Sequence, residues 1–324
     1  MKILVTGANG FVGSALCSRL FTEGITVHAA VRSPSSAPLA SSMLRPFTVG
    51  EIGQETDWGA ALTGVDVVIH LAARVHMMRD DAADPLHEFL NTNHDATVNL
   101  ARQAAASGAK RFVYLSSIKV NGEYTHHEAP FRETDAPNPQ DPYAISKLSA
   151  EEALRAISSE TGMEVVIVRP PLVYGPKVKA NFAKLLKLVD RGIPLPLGRV
   201  KNQRSLVFVG NLCDALLQCA LNPAAAGRTY LISDGEDVST AELVRGIAFA
   251  LNRPARLVPV PLIMMQTVAK LLGKRAAVER LTQSLVVDNS SICRELAWSP
   301  PYSLVQGLQL TADWYRSCKS GQSA

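Results

Sequence analysis

The sequence predicts an α/β fold, in which a doubly wound parallel sheet is joined to a smaller C-terminal α/β lobe. Short apolar runs alternate with longer segments of helical period through the first two-thirds of the 324 residues. Strand, helix and strand in repetition require right-handed crossovers, which give a parallel sheet covered on both faces. The chain is also longer than one ordinary domain of roughly 100–200 residues, so a second lobe is expected.

The periodic segments predict the elements in order. The predicted strands are 3–6, 26–31, 65–71, 111–117, 165–169, 205–209 and 229–233, and the predicted helices are 11–23, 89–106, 143–161, 180–191, 240–251, 262–272 and 304–316. After Pro170 the alternation breaks, because prolines punctuate the chain. We therefore predict one domain from 1–172 and 205–233, and a second lobe from 173–204 and 234–324.

Composition excludes several classes of protein. Hydrophobic residues make up 47% of the chain and charged residues 19%, which is typical of a globular protein. The formal net charge is +4 without a block of consecutive Lys or Arg, so no nucleic-acid partner is expected. The five cysteines form no C-x-x-C pair, and we expect neither a disulfide framework nor a bound metal.

No membrane insertion is expected from the most apolar stretch, residues 257–272. Prolines and polar residues interrupt it, and it is shorter than the span of about 20 apolar residues that crosses a bilayer. We predict a buried or pocket-lining helix there. A strand-like run follows Met1-Lys2 without an apolar leader, so we expect no signal peptide and a cytoplasmic protein.

A glycine-rich turn connects the first strand to the first helix with the spacing G-x-x-G-x-x-G. The first glycine suits a tight turn, the second lets a pyrophosphate approach the backbone, and the third lets the helix pack closely on the strand. Free N–H groups at the positive end of the helix would bind the phosphates. The predicted dinucleotide-binding residues of this turn are Gly7, Asn9, Gly10, Phe11, Val12 and Gly13.

The end of the second strand indicates which dinucleotide is bound. An acidic residue there would accept hydrogen bonds from a ribose 2′-hydroxyl, whereas an arginine suits a 2′-phosphate. The chain has Arg32 at this point and no acid nearby. This favours NADP(H), with NAD(H) as the alternative, although Arg32 could also be an ordinary surface arginine.

A candidate catalytic group combines Ser117 with Tyr143 and Lys147. Asp141 is a suitable N-cap and Pro142 a suitable first residue of a helix. Tyr143 and Lys147 are then neighbours one turn apart on this helix, and Ser117 ends a strand on the ligand side of the sheet. A tyrosine and a lysine at this spacing also occur by chance, but the glycine turn and Ser117 make chance a poor explanation.

The ordinary pKa values indicate the direction of the chemistry. Lowering the tyrosine pKa from about 10 to neutrality requires about 4 kcal/mol. One lysine charge at about 6 Å supplies roughly 3 kcal/mol at an effective dielectric constant of about 20. Lys147 alone therefore falls short for a base. As an acid, Tyr143 starts protonated and donates to the alkoxide, with Ser117 as the second donor.

At these residues the chain resembles the extended short-chain dehydrogenase/reductase family, the NAD-dependent epimerase/dehydratase type, whose fold is the Rossmann sheet. The resemblance covers nearly the whole chain. Besides the turn and the catalytic group, it includes His70-Leu71-Ala72-Ala73, Asn93, Val173-Tyr174-Gly175-Pro176, Gln203-Arg204 and Leu296-Ala297-Trp298-Ser299-Pro300.

The resemblance implies further site residues and a nucleotide-sugar substrate bound by the C-terminal lobe. Implied cofactor contacts, in addition to Tyr143 and Lys147, are Glu51, Ile52, Leu71, Ala72, Ala73, Asn93 and Val173. Asn181 and Arg204 would bind the diphosphate of the substrate, and Ser117 would contact its sugar. Lys119, two residues after Ser117, is a further candidate for the sugar, with a structural role as the alternative. The family analogy also implies a homodimer. No motif fixes a role for His76, Arg280 or Arg294, and the His126-His127-Glu128 run is interpreted as a solvated loop.

A departure from other family members and a local similarity narrow the choice of subgroup. Ile118-Lys119 stand where family dehydratases carry Asp-Glu, which disfavours dehydration. Residues 116–123 are similar to bacterial reductases of UDP-4-keto-6-deoxy-N-acetylglucosamine, which use NADPH to form UDP-N-acetylquinovosamine for O-antigen or capsule. A UDP-hexose or UDP-N-acetylhexosamine 4-epimerase with bound NAD is the alternative. A non-catalytic NADP(H)-sensing protein is a lesser one.

Overall fold

The computed structural model describes residues 1–34, 43–75, 84–126, 129–271, 273 and 275–320. Its centre is a sheet of seven parallel strands, which confirms the predicted fold class. The strands of this sheet are β1 (Lys2–Thr6), β2 (Thr26–Val31), β3 (Leu44–Thr48), β4 (Val67–His70), β5 (Arg111–Leu115), β6 (Glu164–Arg169) and β9 (Thr229–Leu231). A separate parallel pair consists of β7 (Leu172–Tyr174) and β8 (Leu206–Phe208).

The strand order places the ligand crevice. It runs β3-β2-β1-β4-β5-β6-β9, so the chain winds outward in both directions from the junction of β1 and β4. In open parallel sheets, ligands bind outside the carboxyl ends of the strands at such a junction. The glycine turn follows β1 and the predicted Ser117 follows β5, so both lie at this edge.

Helices cover both faces of the main sheet. The helices of the described residues, on the sheet and beyond it, are α1 (Phe11–Thr22), α2 (Gly59–Leu62), α3 (Pro85–Leu90), α4 (Ala96–Ala106), α5 (Pro142–Thr161), α6 (Ala180–Asp190), α7 (Val209–Leu221), α8 (Thr240–Ala250), α9 (Leu262–Leu271), α10 (Arg275–Thr282), α11 (Ser290–Glu295) and α12 (Leu304–Lys319). Side chains alternate along each strand. Ile3 and Val5 thus join one core cluster with α1 and α7, whereas Leu4 joins another with α4 and α5.

Several predicted elements differ from the observed ones. The predicted strand 205–209 is shorter, and as β8 it pairs with β7 outside the main sheet. The predicted helix 89–106 contains a π-helical turn at Asn91–Asp95 between α3 and α4. Strand β3 was missed because it is a half-buried edge strand that contains Pro46, a residue that reduces strand propensity. The predicted division into 1–172 with 205–233 and 173–204 with 234–324 stays a prediction.

Helix α9 corrects one expectation. The sequence predicted a buried or pocket-lining helix, and α9 does line a cavity through Leu262 and Met265. Ala269 is also buried, whereas Ile263, Met264 and Leu271 are exposed, and Ile263 is 77% exposed. In the part of the chain that the structure describes, no helix has both the length and the apolar character required to cross a bilayer.

Candidate active site

The glycine turn has the geometry that its sequence predicts. Gly7 has a φ of +63°, and an added Cβ would lie 3.1 Å from the Ala72 backbone nitrogen. The Gly10 N–H donates to the Gly7 carbonyl at 2.9 Å. A Cβ at Gly13 would overlap that same carbonyl. Helix α1 begins at Phe11, so its first N–H groups lack intrahelical acceptors and are suited to bind an anion.

A buried network fixes the loops on the two sides of the crevice. The Thr6 hydroxyl lies 2.7 Å from His70 Nδ1 and accepts from the N–H groups of Leu71 and Ala72. His70 Nε2 lies 2.9 Å from the Thr97 hydroxyl, which itself donates to a backbone carbonyl. Burial lowers the pKa of His70 to about 3, so its ring is neutral. The Thr97 hydroxyl must therefore accept from Nε2–H, and Nδ1 accepts from Thr6.

Asn93 joins the loop after β4 to the catalytic helix. Its side chain accepts from the Arg74 N–H at 2.8 Å and donates to the Arg74 carbonyl and to the Ser146 hydroxyl, each at 3.0 Å. Both amide hydrogens of Asn93 are thus donated to protein atoms. The structure gives this residue a positioning role, and its predicted cofactor contact stays a prediction.

Helix α5 and the end of β5 bring the predicted catalytic group together. The Asp141 side chain accepts from the Ala144 N–H at 2.7 Å and Pro142 is the first helical residue, which confirms the predicted cap. Lys147 Nζ donates to the Leu115 carbonyl at 2.9 Å and lies 6.0 Å from the centroid of the Tyr143 ring. These contacts hold the lysine and the phenol at the end of the strand that precedes Ser117.

Burial sets the protonation of these groups. It raises the pKa of Tyr143 to about 12, against an opposing hydrogen bond from Ser117. That hydrogen bond also places the Ser117 hydroxyl beside the phenol. Burial lowers the pKa of Lys147 to about 7, with Glu151 opposing. At neutral pH the unliganded site therefore holds a protonated phenol next to a lysine that readily changes its charge.

Lys119 connects the two catalytic segments. Its ammonium lies 2.5 Å from an Asp141 carboxylate oxygen and 2.8 Å from one of Glu123. Its backbone N–H is also capped by the Ser117 hydroxyl at 3.3 Å. The two carboxylates already engage the cation, so the structure indicates that Lys119 positions Ser117 and the start of α5. Its predicted contact with the sugar remains untested.

Sequence reasoning missed a second support beneath the site. Glu151 is fully buried on α5, one turn after Lys147. It accepts from the Ser116 hydroxyl at 2.6 Å and pairs with the Arg169 guanidinium at 2.5 Å. Arg169 also donates to Asn121 at 2.9 Å. The available signal was an acid on the same face of the helix as Lys147.

Arg204 and Asn181, the residues predicted to bind the diphosphate, are more exposed than Lys147 of the catalytic group. Arg204 donates through Nη1 to the carbonyls of Arg280 and Gln283, at 3.0 and 3.2 Å. Burial lowers the pKa of Arg204, against the attraction of the Glu123 carboxylate. Asn181 is exposed in the first turn of α6.

The remaining predicted residues occupy varied positions. Arg32 is exposed directly after β2, Glu51 is exposed, Ile52 packs on a core cluster, and Val173 is half-buried in β7. Asn9 is exposed in the turn before α1. Arg280 is exposed and Arg294 lies in α11, without a contact that defines a role. His76, His127 and Glu128 lie outside the described residues.

Fold and site together define an α/β protein whose sheet junction carries a phosphate-binding type of glycine turn beside a Ser–Tyr–Lys group. The profile of the NAD dependent epimerase/dehydratase family matches residues 3–233. The chain belongs to this family of enzymes, which confirms the family that the motifs predicted.

Known proteins resemble the chain over nearly its full length. It is 46% identical over 313 residues to a UDP-glucose 4-epimerase of Vibrio cholerae, covering 96% of this chain and 94% of that one. It is 27% identical to the N-acetyl-alpha-D-glucosaminyl-diphospho-ditrans,octacis-undecaprenol 4-epimerase of Escherichia coli O157:H7, covering 97% and 95%. A solved structure, MoeE5 in complex with UDP-glucose and NAD, has a TM-score of 0.78 at 25% identity and covers 98% and 100%.

Proposed function

We propose that this enzyme reduces the C4 keto group of a UDP-4-keto-6-deoxy-N-acetylhexosamine with NADPH, giving UDP-N-acetylquinovosamine for a bacterial surface polysaccharide. The observation that carries the proposal is the hydrogen bond between the Tyr143 phenol and the Ser117 hydroxyl. Burial holds the pKa of Tyr143 at about 12, and Ser117 is its hydrogen-bonding neighbour. A site that starts with a proton on the phenol is prepared to donate to a carbonyl oxygen.

The residues of the turn fit a dinucleotide. The Gly13 position has no room for a Cβ, and α1 begins directly at the turn. Gly7 to Gly13 would hold the pyrophosphate, with Tyr143 and Lys147 near the nicotinamide end. The bound cofactor would supply the hydride. Tyr143 then gives its proton to the C4 oxygen while Ser117 donates a second hydrogen bond to it. A protonated Lys147, 6.0 Å from the ring centroid, stabilises the phenolate that remains by about 3 kcal/mol.

Arg32 supports the choice of NADP(H). It is exposed immediately after β2, where its guanidinium can bind a 2′-phosphate without displacing a buried partner. MoeE5 was solved with NAD, so NAD(H) is the alternative cofactor. We expect tighter binding of NADPH than of NADH, and Arg32→Ala should remove the difference.

Arg204 supports a diphosphate in the substrate. Guanidinium has five N–H donors in a planar fork that matches phosphate oxygens. The carbonyl contacts of Arg204 use only Nη1. The other donors suit the diphosphate of a UDP-sugar, with Asn181 as a further ligand. A cytoplasmic homodimer completes the proposal by family analogy.

A 4-epimerase with bound NAD is the second candidate, favoured by the 46% identity to the Vibrio cholerae enzyme. Epimerisation must first remove a proton from a hydroxyl, which requires Tyr143 to act as a base. A non-catalytic NADP(H) sensor is disfavoured, because Lys147 and Tyr143 are held together at the end of β5.

Net cofactor consumption separates these candidates. Purified enzyme should consume one equivalent of NADPH for each UDP-4-keto-6-deoxy-N-acetylglucosamine and form UDP-N-acetylquinovosamine, followed by absorbance and by NMR of the product. Interconversion of UDP-N-acetylglucosamine and its 4-epimer without net consumption would replace the reductase proposal with the epimerase. If the protein binds NADPH but catalyses neither reaction, the result would support the non-catalytic NADP(H) sensor.

A further inference from the structure

Several large apolar side chains of helix α9 are exposed on the side of the helix that faces away from the core. Met265 and Ala269 are its buried residues among those described. At 100° per residue, these two form one narrow stripe. Ile263, Met264 and Leu271 lie roughly opposite that stripe and are 77%, 58% and 82% exposed. A surface helix of a globular protein normally turns polar residues to this side.

Basic residues surround this apolar side. The sequence from 254 to 283 contains five basic residues and a single acid, Glu279. Glu279 is paired with Arg275 at 2.7 Å, which leaves Lys270 and Arg280 as cations of the two helices. Lys270 is exposed within α9 itself, and at 100° per residue it lies beside Ile263 at the border of the exposed apolar side. Lys201 and Arg199 line a cavity on the other side of α9, with Leu262 and Met265, and add to the positive charge around the helix.

Helix α9 belongs to the predicted second lobe and lies near its proposed diphosphate site. The cavity has a volume of about 290 Å³ and is lined by the 199–202 segment together with Leu262 and Met265. Arg204 follows that segment, and it donates to the carbonyls of Arg280 and Gln283 at the end of α10 and just beyond it. A partner on α9 would therefore be close to the proposed diphosphate site.

We propose that the exposed side of α9 docks on the surface of an anionic lipid bilayer. An apolar helix face flanked by Lys and Arg lies in the interface with its apolar side chains among the acyl chains and its cations at the headgroups. The positive charge around α9 favours an anionic bilayer over a second copy of the chain. A second copy of the chain would bring the same cations face to face across a two-fold axis. The docking needs no spanning helix.

Vesicle co-sedimentation tests the proposal with the full-length protein. Binding to phosphatidylglycerol-containing vesicles should exceed binding to pure phosphatidylcholine vesicles and should weaken at high salt. Ile263→Glu should lower the partition coefficient about tenfold or more. Phe249→Glu is the matched control, because Phe249 is 76% exposed on α8. Phe249→Glu should bind vesicles like the unmodified protein.

Three outcomes would overturn the docking. They are failure of the unmodified protein to bind anionic vesicles, equal loss in the two variants, and no loss in Ile263→Glu. Self-association that Ile263→Glu abolishes, without vesicle binding, would assign α9 to a second copy instead. Turnover of the soluble UDP-sugar, measured without vesicles, should be unchanged in Ile263→Glu, so failure of the docking and failure of the proposed reaction remain distinguishable.

Discussion

At the catalytic edge of the sheet polar side chains are buried and hydrogen-bonded, whereas on α9 apolar side chains are exposed. Thr6, Asn93 and Lys147 each bond to a neighbouring loop or strand end. Ile263 and Leu271 of α9 are more than three-quarters exposed. The contrast is between a catalytic edge that is held in place by contacts within the chain and a helix, α9, whose apolar side chains lack such contacts and for which we propose a membrane partner.

Removing the Tyr143 hydroxyl should have the largest effect and should separate the two regions. Tyr143→Phe should lower kcat about 10³-fold, because a positioned general acid typically contributes about 10² to 10⁴. NADPH affinity, measured by calorimetry, and vesicle binding should not change. Tyr124→Phe is the matched control, since Tyr124 is 51% exposed. Near-normal turnover of Tyr143→Phe would remove the phenol from the mechanism.

The buried amine of Lys147 should make stability depend on pH. Its pKa is about 7 in the folded, unliganded protein and about 10.4 in an unfolded chain. Between these values the unfolded chain binds the extra proton, so the free energy of unfolding should rise with pH. The rise should be about 2 kcal/mol from about pH 7 to about pH 9.

Lys147→Met should lack this contribution, so the unfolding curves of the two proteins in denaturant should have different pH slopes. Identical slopes would show that Lys147 keeps its ordinary pKa and that its amine is more exposed to solvent than the structure indicates.

Loss of the Lys119 ion pairs should have the smallest effect. Lys119→Met removes the connection between Asp141 and Glu123, and we expect kcat to fall about tenfold through looser alignment of Ser117 and Tyr143. KM for the UDP-sugar should change little, and Lys110→Met, at an exposed lysine, should match the unmodified enzyme. A rise in KM at constant kcat would instead support the predicted contact between Lys119 and the sugar.

The glycine turn and the catalytic group could be predicted because backbone geometry restricts which residues can occupy these positions. Gly7 requires a positive φ and Gly13 tolerates no Cβ, so both are visible as spacing in the sequence. Asp141 and Pro142 mark the start of α5, and this start fixes Tyr143 and Lys147 on one face. The carboxyl ends of parallel strands then bring Ser117 to the same edge.

The remainder could not be predicted because it depends on contacts between distant segments. Helix α7, which the sequence analysis did not predict, is buried on most sides because it packs against α1 and the main sheet. The bond from Asn93 to Ser146 links residues 53 positions apart. For α9, an apolar sequence indicated burial, although the same composition suits a helix whose apolar side faces a membrane.

A crystal structure with NADP⁺ and UDP bound would show whether the nicotinamide lies beside Ser117, Tyr143 and Lys147. We expect the pyrophosphate on the N–H groups of the Gly7–Gly13 turn and the nicotinamide ring in contact with Tyr143, close to Ser117 and Lys147. A nicotinamide ring bound away from these three side chains would contradict this expectation.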